Sequence, residues 1–251
     1  MRTILITNDD GIHSPGIQAL RDALTKIGNI IVVAPDSDNS AVSHSLTMNR
    51  PLKVHKLEEH IYTLNGTPTD CVALALKKIL TRQPDLLVSG INAGANLGDD
   101  ISYSGTVSAA IEATMYGVPS IAISVGGEPP YDFRGAMDIA RCMTQKVLDN
   151  TLPTNTLLNI NVPSGSTYKN IKVTRQGRRL WKDSIHETKD PRGNKHYWIG
   201  GGTPIIDPGD DTDVHAFSRG DVSITPIQLD LTNHSGITFL KQKWSLENIE
   251  R

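Results

Sequence analysis

Short apolar runs rich in β-branched residues stand at Thr3-Ile4-Leu5-Ile6-Thr7, Ile30 to Ala34, Asp85 to Ser89 and Ser120 to Val125, with helix-periodic segments between them. Runs of this length without polar alternation suit strands covered on both faces, and parallel strands need long crossovers that are usually helices. The alternation predicts an α/β fold: a Rossmann-like, mostly parallel sheet with helices on both faces.

The helices have legible boundaries. Ser14 and Pro15 offer a cap and a first-turn proline ahead of Ile17, Leu20, Leu24 and Ile27, and Gly28 closes the segment. A second helix opens at Thr67-Pro68, buries Val72, Leu76, Ile79 and Leu80, and ends at Pro84. A third follows Ser104 with Val107, Ile111, Thr114 and Met115 on one side, and a fourth carries Ala136, Ile139, Ala140, Met143 and Val147. Leu52 to His55 and Ile61 to Leu64 read as minor strands.

Beyond about Asn150 the pattern changes. Leu157 to Val162, Ile171 to Thr174, His196 to Ile199 and Val222 to Ile227 are strand-like, and no convincing helix lies between them. Asp190 to Lys195 has the turn chemistry to tip an extended hairpin, and Pro226 predicts an edge strand. No repeat or low-complexity linker divides the chain, so 1–251 reads as one domain: an α/β core over 1–150 and a β-rich part over 151–251.

A net charge of -2 and a pI near 6.4 provide no general basic surface, which argues against a nucleic acid polymer or an anionic membrane as partner. Cys71 and Cys142 show no zinc spacing and no disulfide framework, and each reads as a small core residue. With no charged leader and no apolar run near the ~20 residues that cross a bilayer, the expectation is a soluble, cytoplasmic protein.

The candidate chemistry sits where strands end. The first strand runs into Asn8-Asp9-Asp10-Gly11, a carboxylate pair at the sheet edge where open α/β folds bind ligands. Asp-Gly is also an ordinary turn dipeptide. What favours a hard divalent cation is the company: the polar loop holding Ser40 after the second strand, and the loop with Asn92 and Asn96 after the third. Ser104-Gly105-Thr106 then opens a helix, where backbone N–H groups and the helix dipole favour a phosphate, although a serine there also serves as a plain cap. Cation and anion sites together suggest phosphoryl chemistry. Gly-x-x-x-x-Gly-Lys-Ser/Thr, Gly-x-Gly-x-x-Gly after the first strand and Gly-x-Ser-x-Gly are all absent, which counts against P-loop NTPases, dinucleotide dehydrogenases and serine hydrolases.

These segments resemble the SurE family of survival proteins, metal-dependent 5′/3′-nucleotidases. The resemblance rests on Asn8-Asp9-Asp10-Gly11, Ala34-Pro35-Asp36 with Ser40, Ser45-Leu46-Thr47, Gly66 to Cys71, Ser89 to Asn92 with Gly94 and Asn96, Tyr103 to Thr106, and Val222 to Pro226, all in family order. It implies that Asp9, Asp10, Ser40 and Asn92 bind one divalent ion per subunit, Mg²⁺ or Mn²⁺. It implies also that Asn96, Ser104, Gly105 and Thr106 hold phosphate and that Asp9 and Asp10 are catalytic. A C-terminal hairpin exchanged between subunits and a homodimer or dimer-based tetramer come with it. The chain departs from the usual pattern at Asn39, where a basic residue is common, and at Ala95, where proline is common.

The expected activity is hydrolysis of nucleoside monophosphates; the alternatives are a nucleotide-binding regulatory protein without turnover and an oxidoreductase on the same fold. Other residues read as follows. His44 and, more weakly, His13 are candidates for proton transfer. Asp207, Asp210, Asp211 and Asp213 read as a solvated loop, and Arg175, Arg178, Arg179 and Lys182 as charged surface or subunit interface. Trp181, Tyr197 and Trp198 read as hairpin packing, with Tyr103 better placed to stack a base.

Overall fold

The computed structural model describes residues 2–182, 185–206 and 209–244. A nine-stranded sheet organises the molecule, in the order β3-β4-β2-β1-β5-β6-β7-β13-β8. Its parallel centre comprises β1 (Thr3–Thr7), β2 (Asn29–Pro35), β4 (Ile61–Leu64), β5 (Leu86–Ala93), β6 (Ser120–Gly126) and β7 (Thr156–Pro163). The short β3 (Val54–Glu58) runs antiparallel at one edge, beginning and ending later than its sequence suggests. At the other edge β13 (Val222–Gln228) pairs antiparallel with β7, and β8 (Ile171–Val173) pairs with its first half.

Alternation along β1 explains the layers. Ile4 and Ile6 join a core with α1 (Pro15–Leu24) and α4 (Arg134–Asn150), while Leu5 faces α2 (Pro68–Leu74) and α3 (Gly105–Met115) on the other side. Both faces are therefore covered, as a parallel sheet requires. Gly16 allows α1 to lie on β5: a Cβ there would fall 1.9 Å from the Ile91 carbonyl oxygen.

Several elements differ from expectation for local reasons. The second helix passes from α2 into a π-helical turn, Ala75–Ile79, and is over by Leu80, short of Pro84. β5 does not stop at Ser89; a register irregularity between Ser89 and Asn92 lets it continue, so Asn92 sits on the strand's end rather than in the loop. A 3₁₀ helix, Gly98–Tyr103, fills the following loop. Met115, the last residue of α3, is exposed, while the rest of the helix is buried nearly all round and has no single apolar stripe. Cys71 is a core residue; Cys142 lies on the outer side of α4, exposed.

The late part is less purely β than its sequence reads. α5 (Asp213–Ser218) lies between the late strands, capped by Thr212, whose hydroxyl accepts from the His215 N–H, and α6 (His234–Lys243) follows β13. Asp213 is accordingly not solvated: it has no exposure, and its carboxylate accepts N–H bonds from Gly98, Gly177 and Val214. Asp207 lies outside the described residues.

The hairpin is present. β10 (Ile185–Lys189) and β11 (Lys195–Ile199) pair across a turn closed by Asp190, and β9 (Arg179–Lys182) with β12 (Thr203–Ile206) continue the two arms toward the body. Pro226 is an edge residue in a restricted sense: β8 reaches only to Ile224, so β13 is interior before that point and open beyond it.

Candidate active site

The strand ends meet as a parallel sheet dictates. Thr7 of β1 is in register with Ser89 of β5, so Asp9 and Asp10 emerge beside the end of β5. Asp9 is 4 % exposed and Asp10 is half-buried. The Asp9 carboxylate lies against the first turn of α3, accepting from the Thr106 hydroxyl and, at 3.1 Å, from the Thr106 N–H. Gly105 makes that approach possible, since a Cβ there would sit 2.8 Å from Asp9 Cβ and 2.9 Å from its Oδ2. Asp10 accepts from the Ala93 N–H on β5 at 3.2 Å. The acidic pair and the Ser-Gly-Thr helix start are one place.

Ser40 is positioned by Asp38, whose Oδ1 accepts both the Ser40 N–H at 2.8 Å and its hydroxyl at 2.6 Å. With its proton so committed, the Ser40 oxygen presents lone pairs to whatever approaches. The loop itself is tied down along its length. Asn39 N–H donates to the Asp9 carbonyl, and Ser43 N–H to the Tyr103 carbonyl. His44 Nε2 lies 2.7 Å from Glu112 Oε2 on α3, and Asp70 accepts from the Thr47 N–H and hydroxyl. Asp70 also completes a capping box with Thr67, and the Thr67 hydroxyl donates to the Ser45 carbonyl, so the start of α2 grips the same loop.

Asn92 is half-buried at the end of β5, its amide donating to the Gly94 carbonyl. Asn96 is more deeply engaged: its N–H donates to Asn161 Oδ1, its Nδ2 to the Ser124 hydroxyl, and its carbonyl accepts from Asn159 and Asn161. Ser104 caps α3 by accepting from the Val107 N–H at 3.1 Å, which leaves its own proton to give away. Thr106 spends both donors on Asp9.

Electrostatics mark the place as short of positive charge. Burial, followed by repulsion from Asp9 and Asp38, pushes the Asp10 carboxyl up to about 6, and burial raises Asp9 in spite of its bonds to Thr106. No lysine or arginine among the described residues pairs with either. The Asn8 Oδ1, fully buried at the same strand end, has no hydrogen-bond partner. Two adjacent carboxylates with no cationic side chain beside them are the hard oxygen donors that suit a divalent cation.

Sequence reasoning passed over Asp38, Asp70 and Glu112. Asp38 had a signal: an acidic residue two before a serine is the pattern of an Asx turn. Glu112 had none, because its partner is 68 residues away. Two members of the basic run are engaged in ion pairs, Arg175 with Asp211 and Arg179 with Asp100. His13 is exposed and away from these bonds.

The family model described as "Survival protein SurE" matches residues 4–183. The 5′-nucleotidase SurE of Syntrophotalea carbinolica is 50% identical over 245 residues, covering 97% of this chain and 97% of that protein, and that of Geobacter sulfurreducens is 47% identical over 246 residues, covering 97% and 94%. The crystal structure of the SurE protein from Aquifex aeolicus superposes with a TM-score of 0.85 at 44% identity, over 96% of this chain and 98% of that one. With a model matched across most of its length and relatives this similar from end to end, the chain belongs to the SurE family of survival proteins.

Proposed function

We propose that the protein is a divalent-metal-dependent 5′-nucleotidase that hydrolyses nucleoside monophosphates to nucleoside and phosphate, acting also on 3′-nucleotides and other phosphomonoesters. The observation that carries this reading is the contact between Asp9 and the start of α3, which unites a cation-binding and an anion-binding feature in one site. The names of the relatives support the same activity.

Asp9, Asp10, Ser40 and Asn92 would hold one Mg²⁺ or Mn²⁺ per subunit. When bound, such an ion supplies the positive charge that screens a phosphate and eases deprotonation of water. The chain's own groups do the positioning. Thr106 fixes the Asp9 carboxylate, Asp38 turns the Ser40 lone pairs outward, and the Gly105 gap brings the positive end of the α3 dipole to the acidic pair. The Ser104 hydroxyl has a proton to donate to a phosphate oxygen, and Asn96 braces the loop ahead of it.

A homodimer or dimer-based tetramer is part of the proposal, supported by the apolar side chains that the hairpin and C-terminal segment expose: Trp198, Ile199 and Leu231 are 68%, 85% and 95% accessible. A cytoplasmic location is supported by the two free thiols.

The test is phosphate release from AMP. The purified protein with Mn²⁺ should release phosphate, and chelator should abolish the release. Asp9→Asn, with its circular dichroism unchanged, should lower turnover by at least about a hundredfold. Turnover indifferent to chelator and to this substitution would refute the metal site. Tight AMP binding with no release would favour the regulatory alternative.

A further inference from the structure

Along β7, Leu158, Ile160 and Val162 face the core beneath α1 and α4, while Leu157, Asn159 and Asn161 alternate onto the face that α3 covers. Both asparagines are fully buried. Their neighbours continue a polar stripe across the sheet: Ser124 of β6 and Ser223 of β13 stand opposite Asn161, and Thr225 opposite Asn159, all of them buried. The covered face of such a sheet is ordinarily apolar, and a buried amide is costly unless it is bonded. What the stripe holds is the loop after β5. Asn161 Oδ1 accepts the Asn96 N–H at 2.7 Å, the Asn96 carbonyl accepts from the Asn159 and Asn161 amides at 2.8 and 3.0 Å, and the Asn96 side chain donates to the Ser124 hydroxyl at 2.8 Å. Two residues earlier the Gly94 N–H donates to the Val125 carbonyl, and the Gly94 carbonyl accepts from the Asn92 amide. A Cβ on Gly126 would fall 2.6 Å from Ala95 Cβ, so the loop sits hard against the end of β6.

We propose that Asn159 and Asn161 are positioning residues for the reaction: acting through Asn96, they fix the 92–98 loop so that the Asn92 oxygen stands with the acidic pair and Asn96 meets the phosphate. The inference rests on the nucleotidase reading. Two observations separate positioning from mere satisfaction of a buried backbone. A buried carbonyl is satisfied by one donor, yet the Asn96 carbonyl has two side-chain amides on it. The second of these leaves its own oxygen, Asn159 Oδ1, buried with no hydrogen-bond partner among the described residues, a cost that packing does not require. The clamp also reaches the ligand atoms. With its Nδ2 spent on Gly94, Asn92 has only its oxygen to offer a cation, and Gly94 is held by the same seat on β6.

The test compares the parent with Asn159→Leu and Asn161→Leu, which keep the side-chain volume on an apolar sheet face but remove the bonds to Asn96. The readouts are amide hydrogen exchange over 93–98, Mn²⁺ affinity by electron paramagnetic resonance, and kcat on AMP at saturating Mn²⁺. Each variant should lose protection over 93–98 while β6 and β7 stay protected, and Mn²⁺ affinity and kcat should each fall about tenfold or more, as they do when the partners that orient metal ligands are removed. Asn159→Ala and Asn161→Ala repeat the comparison without apolar bulk, so a leucine variant that fails to fold does not decide the matter. Unchanged protection over 93–98 would overturn the assignment. So would lost protection with Mn²⁺ affinity and kcat at the parent values, or a loss spread over the whole sheet, which marks a structural role. If the parent binds Mn²⁺ but releases no phosphate from AMP, the nucleotidase reading fails alone, and exchange with Mn²⁺ affinity still decides the clamp.

Discussion

Asp9 and Asp10 are held where each makes the other's charge costly. Their carboxyls bind a proton more tightly in the fold than in the open chain, Asp10 at about 6 and Asp9 in the same direction. The sign follows: these groups favour the fold most fully below the ordinary aspartate range, and that contribution is lost as the pH rises through the folded value. In the metal-free protein the pair therefore opposes folding at neutral pH. Asp10→Asn should raise the thermal midpoint of chelator-treated protein at pH 7, and the advantage should shrink toward pH 4. Scanning calorimetry at the two pH values reads this directly, and an equal offset at both would contradict it. The doublet itself was legible in the sequence, because an apolar strand ending in two acids is a local pattern. Its restraints were not: Thr106, which fixes Asp9, is 97 residues away.

At the scale of elements, Asp213 at the N-terminus of α5 joins pieces that no local pattern connects. One carboxylate, with no exposure, accepts from Gly98 at the start of the 3₁₀ helix and from Gly177 at the hairpin root, 115 and 36 residues away. Asp213→Ala leaves those buried donors unpaired and should cost about 3 kcal/mol or more, at roughly 1–3 kcal/mol for each unsatisfied group. Urea unfolding measures it; a change below about 1 kcal/mol would show that the carboxylate is not the tie described. The core strands β1, β2, β5, β6 and β7 and the helices α1 and α4 were readable because their apolar spacing reports which face is buried, whereas the exposed hairpin strands β9, β10 and β12 carry no such pattern. α5 escaped notice since it is only six residues long, and its acids resemble a surface loop until their partners are known. The extension of β5 through Asn92 was hidden too, because glycine and polar residues after an apolar run ordinarily signal the strand's end.

Over the whole molecule, the sheet's parallel centre gathers β1, β2 and β5 so that three loops distant in sequence converge, and α3 closes the convergence from above Asp9. Everything in this account turns on whether the converged oxygen groups bind a cation. Electron paramagnetic resonance titration of the protein with Mn²⁺ measures that without reference to turnover. The account predicts one bound ion per chain, and for Asp9→Asn and Asp10→Asn an affinity reduced at least about tenfold. Parent and both variants binding Mn²⁺ with the same stoichiometry and affinity would contradict it.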